Sequence, residues 1–483
     1  MIWQIIIAIL FLNIIAAVIT VFREKRDIAA TWAWLLVLLL LPGIGFIIYL
    51  FAGKKISRER IFNLKMQERL GTDKLVTAQK DEWQAGRLLP AALSNNDSRQ
   101  LSRLLLDVDQ AVMSHDNAVR LYTDGVAKFD ALLADIAQAH DHIHLEYYTF
   151  FSDEIGTRIR DALITALDRG VEVRVIYDSM GSRGQRHSFF KDFERHGGQA
   201  EPFLGSKRAP IHSPRLNYRE HRKLAIIDGK VGYIGGFNIG DQYLGKNPRF
   251  GNWRDTHMRI EGTAVLAMQT RFLMDWNATT KGTTAQVDYA DHYFPVHYGY
   301  GATNIQVVSS GPDSDTEAIK LGYLKLINSS DHYINIQTPY LIPDDSVFEA
   351  LCVSASSGIR VRIMIPCMPD HAFVYRATQY YARALIENGV EVYQYNNGFL
   401  HAKTFVSDGE ICSVGSANVD FRSFKLNFEC NAFCYDRELA TELAATFEND
   451  LADCTRLTAE DFDKQSGWLK FKQYFSRLLS PIL

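Results

Sequence analysis

The sequence predicts an α/β protein made of two similar halves, which are related by a pseudo-twofold axis and preceded by a transmembrane helical hairpin. Three observations lead to this prediction. Two long apolar runs without charge stand at the start of the chain. A motif of histidine, lysine and aspartate occurs twice. In each half, helix-like segments alternate with strands rich in β-branched residues, a pattern typical of a sheet flanked by helices.

The first 53 residues predict the hairpin. Segments 1–22 and 28–53 contain no charged side chain, and each is long enough to cross a hydrocarbon core of roughly 30 Å as a helix. A cleaved signal peptide is the alternative for the first run, but no basic segment precedes it and a second apolar run follows it. Four basic residues lie within 54–60, against three in the connecting loop, which slightly favours a cytoplasmic body.

The rest of the chain divides into a linker and two halves. Residues 54–110 are polar with a helical pattern, and we expect them to connect the hairpin to the body. The first half is expected at 111–300 and the second at 301–483. Each half has the size of an ordinary domain.

The motif that defines the halves reads His-x-Lys-x4-Asp-Gly in both copies, followed by a glycine and an asparagine at matching positions. For one copy alone, a half-exposed edge strand would be the ordinary interpretation. Two copies with identical spacing indicate a repeat instead. The first copy contains His221, Lys223, Asp228, Gly236 and Asn238, and the second contains His401, Lys403, Asp408, Ser416 and Asn418.

Composition limits the classes of function. The net charge is −4, and 47% of the residues are apolar. A protein that mainly holds nucleic acid usually carries a basic excess, so we expect no nucleic-acid partner. The six cysteines form no CxxC pair and no spacing typical of zinc.

The two motifs predict a phosphodiester-binding pocket. In a strand, alternate residues face the same way, so each half offers its histidine and lysine on one surface. Lysine and asparagine side chains, with Ser416, can hold phosphate oxygens and stabilise the charge of a transition state. One neutral histidine can attack phosphorus while the other, protonated, serves as acid and then base. We expect no metal or other cofactor, because the lysines supply the positive charge and the carboxylate cluster expected for magnesium is missing.

A nucleophilic histidine needs an acceptor on its second ring nitrogen. The candidates are Asp255 in "NWRDTH" and Glu429 in "NFEC", each about thirty residues after its motif. The alternative for these carboxylates is a salt bridge with Arg254 or Arg422.

The last residues predict a basic amphipathic helix. In "WLKFKQYFSRLLSPIL" the apolar residues recur at three- and four-residue steps. Such a helix could lie in a membrane interface or dock on the core of the protein. The sequence leaves both interpretations open.

The doubled motif resembles the paired signatures of the phospholipase D superfamily. Together with the N-terminal hairpin, "SGPD" at Ser310–Asp313 and "TPYLIPD" at Thr338–Asp344, it resembles the bacterial cardiolipin synthases of that superfamily. The resemblance covers nearly the whole chain. It implies two α/β/α sandwich halves and a place in the bacterial inner membrane. Gly236 departs from the serine that often stands at its position.

This resemblance implies a reaction. Two phosphatidylglycerol molecules would give cardiolipin and glycerol through a phosphatidyl-histidine intermediate, with His221 favoured over His401 as the nucleophile. All three polar positions of each motif, aspartates included, would then be catalytic. The alternatives are a membrane-bound phospholipase D, a nuclease of the same superfamily and an inactive membrane scaffold. The sequence does not decide between a monomer and a homodimer.

Overall fold

The computed structural model describes residues 28–41, 72–85, 96–183, 188–204, 217–296 and 299–482, together with four isolated positions (11, 15, 45 and 49). The predicted hairpin therefore lies for the most part outside the described residues. Across the described ranges, no helix combines the length and the apolar character needed to cross a bilayer. The linker contributes two described helices, within 72–85 and 96–109.

Fourteen α-helices are named from the described residues. They are α1 Ile28–Leu40, α2 Thr72–Gln84, α3 Asn96–Asp109, α4 Gly125–Gln138, α5 Glu154–Asp168, α6 Lys191–Arg195, α7 Ala264–Thr279, α8 Ala318–Ser329, α9 Asp345–Ser356, α10 Ala372–Glu387, α11 Phe421–Lys425, α12 Arg437–Leu451, α13 Ala459–Asp463 and α14 Gly467–Leu478.

Twenty strands are described. They are β1 Ser114–Tyr122, β2 His142–Tyr147, β3 Glu172–Tyr177, β4 Gln199–Pro202, β5 Arg219–Glu220, β6 Lys223–Ile227, β7 Val231–Gly235, β8 Trp253–Arg254, β9 His257–Glu261, β10 Thr303–Ser310, β11 Tyr333–Gln337, β12 Leu341–Ile342, β13 Arg360–Pro366, β14 Glu391–Tyr395, β15 Phe399–Leu400, β16 Thr404–Ser407, β17 Ile411–Gly415, β18 Val419–Asp420, β19 Asn427–Tyr435 and β20 Cys454–Arg456.

One large sheet runs through both halves. Its first-half strands follow the order β4-β3-β2-β6-β7-β9-β1, and its second-half strands follow the same order as β14-β13-β11-β16-β17-β19-β10. β1 and β10 pair antiparallel and join the halves at the centre. The repeated order confirms the predicted α/β fold with two equivalent halves.

Helices cover both faces of this sheet. In β2, Ile143 and Leu145 belong to a core cluster with helices α4 and α5. On the other face of the same strand, His144 stacks on Phe272 of α7. Because both faces are covered, the strands of the sheet centre read as nearly continuous buried runs.

Each motif folds as the sequence predicts, as two short antiparallel strands joined at an Asp-Gly pair. β6 pairs with β7, and β16 pairs with β17. Asp228 and Gly229 have φ values of 52° and 62°, and Asp408 and Gly409 have 53° and 64°. Each Asp-Gly pair thus occupies the left-handed positions of a three-residue connection, 228–230 in the first motif and 408–410 in the second.

Candidate active site

Two short parallel pairings bring each half of the chain against the other. β5, which ends just before His221, pairs with the start of β19. β15, which ends just before His401, pairs with β8. The backbone N–H of His221 donates to Phe428 O at 2.9 Å, and that of His401 donates to Arg254 O at 2.7 Å. Each histidine therefore lies beside the residue that follows the paired segment of the other half.

Those following residues are Glu429 and Asp255, the two carboxylates expected to orient the histidines. His221 Nδ1 lies 2.8 and 2.9 Å from the two carboxylate oxygens of Glu429. His401 Nδ1 lies 2.6 Å from Asp255 Oδ2. Both pairs are crossed, since each joins a histidine of one half to a carboxylate of the other. The spacing in the sequence did not reveal this exchange.

Arg254 and Arg422, which were considered as alternative partners of these carboxylates, contact other groups in the structure. Arg254 pairs with Asp450, with Nη2 to Oδ2 at 2.8 Å. Arg422 Nη2 donates to the backbone oxygen of Asn217 at 3.0 Å.

The two crossed pairs differ in their support. Glu429 also accepts hydrogen bonds from the Ser416 hydroxyl and from Asn427 Nδ2. At the position equivalent to Ser416, a Cβ on Gly236 would lie 2.0 Å from Asp255 Oδ1. The shorter acid chain and the missing side chain therefore fit together, which explains why glycine stands in the first motif. Thr256 N–H donates to Asp255 instead, at 2.8 Å.

Neighbouring positive groups favour the ionised form of both carboxyl groups. Burial alone would raise the pKa of Asp255, but Lys403 and His401 outweigh it and the pKa is lowered. The same balance lowers the pKa of Glu429, where burial is outweighed by His221 and Lys223. Ionised carboxylates fix Nδ1 as the protonated ring nitrogen, which leaves Nε2 as the reactive one.

The lysine of each motif is almost completely buried, and its ammonium group contacts the histidine of the same motif. Lys223 Nζ donates to His221 O, and Lys403 Nζ donates to His401 O. Burial lowers the pKa of Lys223 to about 7 and that of Lys403 to about 8. The charge of Lys403 also lowers the pKa of Lys223, which indicates that the two ammonium groups lie near each other.

Burial favours the neutral form of both histidines. Burial lowers the pKa of each to about 4. Lys403 contributes to the shift at His221, and Lys223 contributes to the shift at His401. The two motifs therefore act on each other electrostatically, as two parts of one site.

The predicted phosphate-binding residues divide into two groups. Asn238 and Asn418 are buried beside the motifs. Asn238 Oδ1 accepts from Thr149 N–H at 3.1 Å, so its Nδ2 is the group that can reach an anion. The hydroxyl of Ser416, which was predicted to bind phosphate, donates to Glu429. That contact makes Ser416 a support of the His221–Glu429 pair.

The two motif aspartates, predicted to be catalytic, make backbone contacts at the turns of their motifs. The Asp228 carboxylate accepts backbone N–H groups of three residues, 140–142, and Asp408 accepts those of 331–333. At about 3.3 Å per residue, seven residues place each aspartate roughly 20 Å from its histidine. Both aspartates therefore fasten the turn of their motif to the start of the neighbouring strand.

Other residues at the pocket were missed by the sequence analysis. The Tyr148 ring lies 5.1 Å from that of His221, and the Trp253 ring lies 5.1 Å from that of His401. Arg219 and Arg422 both influence Tyr148, whose pKa is raised chiefly by burial. Tyr148 directly follows β2, and Trp253 lies in β8, two residues before Asp255. Aromatic residues are so common in this chain that their positions gave no separate signal.

A buried charged cluster lies behind His221. Among the described residues, one group of carboxylates has spacing compatible with a metal ion, namely Glu146, Glu220 and Asp275. The guanidinium of Arg222 occupies its centre, with Nη1 at 3.0 Å from Glu220 and 2.9 Å from Asp275. Because a permanent cation already holds the central position, the cluster fits a metal poorly. Arg222 Nε also donates to Glu429 O at 3.3 Å, which ties the cluster to the site.

Comparison with known proteins identifies close relatives. A family model described as "Cardiolipin synthase, PLD-like domain" matches residues 132–265 and 323–451. A second, described as "Phospholipase_D-nuclease N-terminal", matches residues 6–54. A cardiolipin synthase of Listeria innocua is 53% identical over 99% of this chain and 98% of its own length. The major cardiolipin synthase of Bacillus subtilis is 49% identical, over 98% and 97%.

A solved structure shares the fold at low sequence identity. The crystal structure of phosphatidylserine synthase from Haemophilus influenzae has a TM-score of 0.61 and 13% identity, and the match covers 80% of this chain and all of that one.

Proposed function

This chain belongs to the cardiolipin synthase family of the phospholipase D superfamily, and we propose that it joins two phosphatidylglycerol molecules into cardiolipin and glycerol. The observation that carries the proposal is the pair of crossed histidine–carboxylate contacts, with two buried lysines in the same pocket. This arrangement supplies a nucleophile, a proton-transfer group and positive charge for a phosphodiester.

The first step forms the covalent intermediate. Nε2 of neutral His221 attacks the phosphorus of one phosphatidylglycerol and forms a P–N bond. The P–O bond to the headgroup glycerol breaks, and that oxygen takes a proton from His401. Glycerol leaves, and a phosphatidyl-histidine remains. His401 takes up this proton from solvent when the substrate binds, because the negative charge of the phosphodiester favours the imidazolium form.

The second step transfers the phosphatidyl group. The headgroup hydroxyl of a second phosphatidylglycerol loses its proton to His401 and attacks phosphorus. The P–N bond breaks, and cardiolipin forms while His221 returns to its neutral state. Lys223 and Lys403, with the amide groups of Asn238 and Asn418, are proposed to hold the non-bridging oxygens in both steps.

Glu429 supports His221 as the nucleophile. Both carboxylate oxygens lie within 3 Å of Nδ1, so the pair can stabilise the positive charge that builds on the ring as Nε2 attacks. At His401 the ammonium of Lys403 lies 2.9 Å from Nδ1. A nearby positive charge disfavours that imidazolium and makes the ring a readier proton donor.

The membrane placement is also a proposal. We infer that the two apolar runs within residues 1–53 form a hairpin that anchors a cytoplasmic body to the bacterial inner membrane. The family match over residues 6–54 supports an N-terminal segment common to relatives. Both signatures lie in one chain, so a complete pocket needs no second copy, and a homodimer stays a prediction.

Incubating the purified protein in detergent micelles with labelled phosphatidylglycerol alone tests the reaction. We expect cardiolipin and glycerol in equal amounts. Phosphatidic acid as the main product would identify a hydrolase, and an absence of any lipid product would indicate an inactive scaffold. His221→Ala and His401→Ala should each lower the rate by several orders of magnitude, because the two groups act as a unit.

Trapping the intermediate tests the assignment of the nucleophile. Rapid acid quenching should yield a labelled phosphatidyl adduct, and peptide mapping should place it at position 221. A label at position 401 would exchange the two roles. A His401→Ala variant should still accumulate some adduct if His401 is only the acid and base.

A further inference from the structure

The C-terminal helix α14 docks on the body through its polar side. Gln473 and Ser476 are buried. Gln473 Nε2 donates to Gln379 of helix α10 at 2.9 Å and to Gln465 at 2.8 Å. The Tyr474 ring lies 5.3 Å from that of Tyr380, also on α10. The helix therefore packs against the protein chiefly through polar residues, and the partly exposed Tyr474 lies at the edge of the contact.

The aromatic side of α14 faces outward. A helix turns by about 100° per residue, so Gln473 and Ser476 lie opposite Phe471, Tyr474, Phe475 and Leu478. The exposed fractions on this outer side are large, namely Trp468 67%, Phe471 58%, Tyr474 54%, Phe475 48% and Leu478 73%. A soluble helix normally buries such residues and exposes glutamine and serine. The orientation of α14 is the reverse, which marks the aromatic face as a contact surface.

The charge of this segment specifies its partner. From residue 464 to residue 483 the chain has four basic side chains and no acidic one. By the same helical geometry, Lys470 and Arg477 border the aromatic face on one side, and Lys472 borders it on the other. Aromatic residues between basic flanks are the arrangement of helices that lie in the interface of an anionic bilayer.

Two neighbouring elements connect α14 with the pocket. The turn Ser480–Ile482, directly after α14, packs against helix α11. Helix α11 is capped by the Asp420 carboxylate, which accepts from Ser423 N–H, and the helix begins three residues after Asn418. Helix α10, on which α14 docks, begins two residues after Asp370, and the charge of Asp370 acts on Lys403.

We propose that the outer face of α14, formed by Trp468, Phe471, Tyr474, Phe475 and Leu478, inserts into the interfacial layer of an anionic phospholipid bilayer and holds the pocket at the membrane surface. The choice of a bilayer as the partner rests in part on the proposed function, because both lipid substrates remain in that bilayer. The helix would act separately from the N-terminal segments, at the opposite end of the chain.

A photo-crosslinking amino acid at position 475 of the full-length protein tests contact with lipid. In vesicles of phosphatidylglycerol and phosphatidylcholine, irradiation should join position 475 to labelled phospholipid. The control places the same amino acid at Val126, which is 49% exposed on helix α4. A lipid yield at 475 no higher than at 126 would overturn the proposal. Crosslinks to a second copy of the chain in place of lipid would also overturn it.

A charge substitution on the outer face of α14 tests whether its contact with the bilayer raises the reaction rate on vesicles. Phe471→Glu with Phe475→Glu should lower the rate on phosphatidylglycerol vesicles about tenfold and leave the rate in detergent micelles unchanged. The matched control, Val126→Glu with Val296→Glu, adds the same charge at exposed apolar positions elsewhere and should alter neither rate. Equal rates of the two double variants on vesicles would contradict the proposal. If the unsubstituted protein makes no cardiolipin even in micelles, the proposed function is wrong. The crosslinking result would still show whether the outer face of α14 contacts lipid.

Discussion

At the scale of single residues, the two histidine–carboxylate pairs are equivalent in topology and different in detail. Glu429 is longer by one methylene and takes a hydrogen bond from Ser416, whereas Asp255 is shorter and packs against Gly236. The motifs could be found in the sequence because their spacing is identical. The exchange of acids between halves could not, because it depends on which strands meet in space, and spacing along the chain carries no information about that.

Replacing Glu429 and Asp255 by the corresponding amides tests whether these carboxylates orient the reacting histidines. Glu429→Gln and Asp255→Asn keep the shape of the side chain but allow the wrong ring tautomer, so we expect the rate to fall by at least about 100-fold each. Circular dichroism and thermal unfolding should show a folded protein. If either variant keeps more than half of the wild-type rate, its carboxylate does not orient a reacting histidine.

The pKa values of the two lysines predict how the reaction rate falls at alkaline pH. Their lowered pKa values, about 7 for Lys223 and about 8 for Lys403, mean that positive charge is present below these values and lost as the pH rises through them. kcat/KM should therefore fall above pH 7 to 8, whereas kcat should fall at higher pH, because a bound phosphodiester anion favours the ammonium form.

Towards acid, the activity should fall as a histidine with a pKa of about 4 takes up a proton and can no longer attack. The resulting curve is bell-shaped, and its limbs belong to the coupled site. Rates measured across the pH range in micelles, with and without EDTA, check both expectations. A rate that EDTA abolishes and magnesium restores would show that a metal takes part.

At the scale of secondary-structure elements, the Asp-Gly turns hold the motif strands in place. The Asp228 carboxylate binds three consecutive backbone N–H groups at the start of β2, and Asp408 does the same at β11. The sequence analysis grouped these aspartates with the reacting residues because they recur with them. The aspartates lie at the turn because an extended strand separates each of them from the histidine and lysine of its motif.

Removing this anchor should affect stability more than chemistry. Asp228→Ala leaves three N–H groups without their acceptor and places alanine at a positive φ, so we expect a loss of about 1–3 kcal/mol in the free energy of unfolding. Urea unfolding measures the loss. Asp228→Asn, which keeps one acceptor oxygen and tolerates the left-handed conformation, should lose less. A folded Asp228→Ala protein whose rate is reduced 100-fold would show that the aspartate takes part in the reaction.

At the scale of the whole molecule, the repeat explains why the site lies between the halves. β1 and β10 meet at the centre of the sheet, and the short pairings of β5 with β19 and of β15 with β8 cross between the halves. The repeat and its approximate twofold symmetry could be predicted from matched motifs. The aromatic side of α14 was visible as a periodic pattern, but which side docks depends on the surface of α10, so only the structure decides between the two interpretations.

The same architecture predicts what removal of the N-terminal segment would do. The core clusters of both halves lie between residues 101 and 462, so deleting residues 1–53 should leave a folded body. In micelles that body should make cardiolipin at about the rate of the full-length protein, because substrate and pocket meet in the same micelle. On vesicles it should be slower, since the anchor raises the effective concentration of a substrate that never leaves the bilayer. Assays of both proteins at equal lipid and protein concentrations compare these rates. Equal rates on vesicles would mean that α14 alone holds the body at the membrane, and a folded body without activity in micelles would mean that the N-terminal segment contributes to the pocket itself.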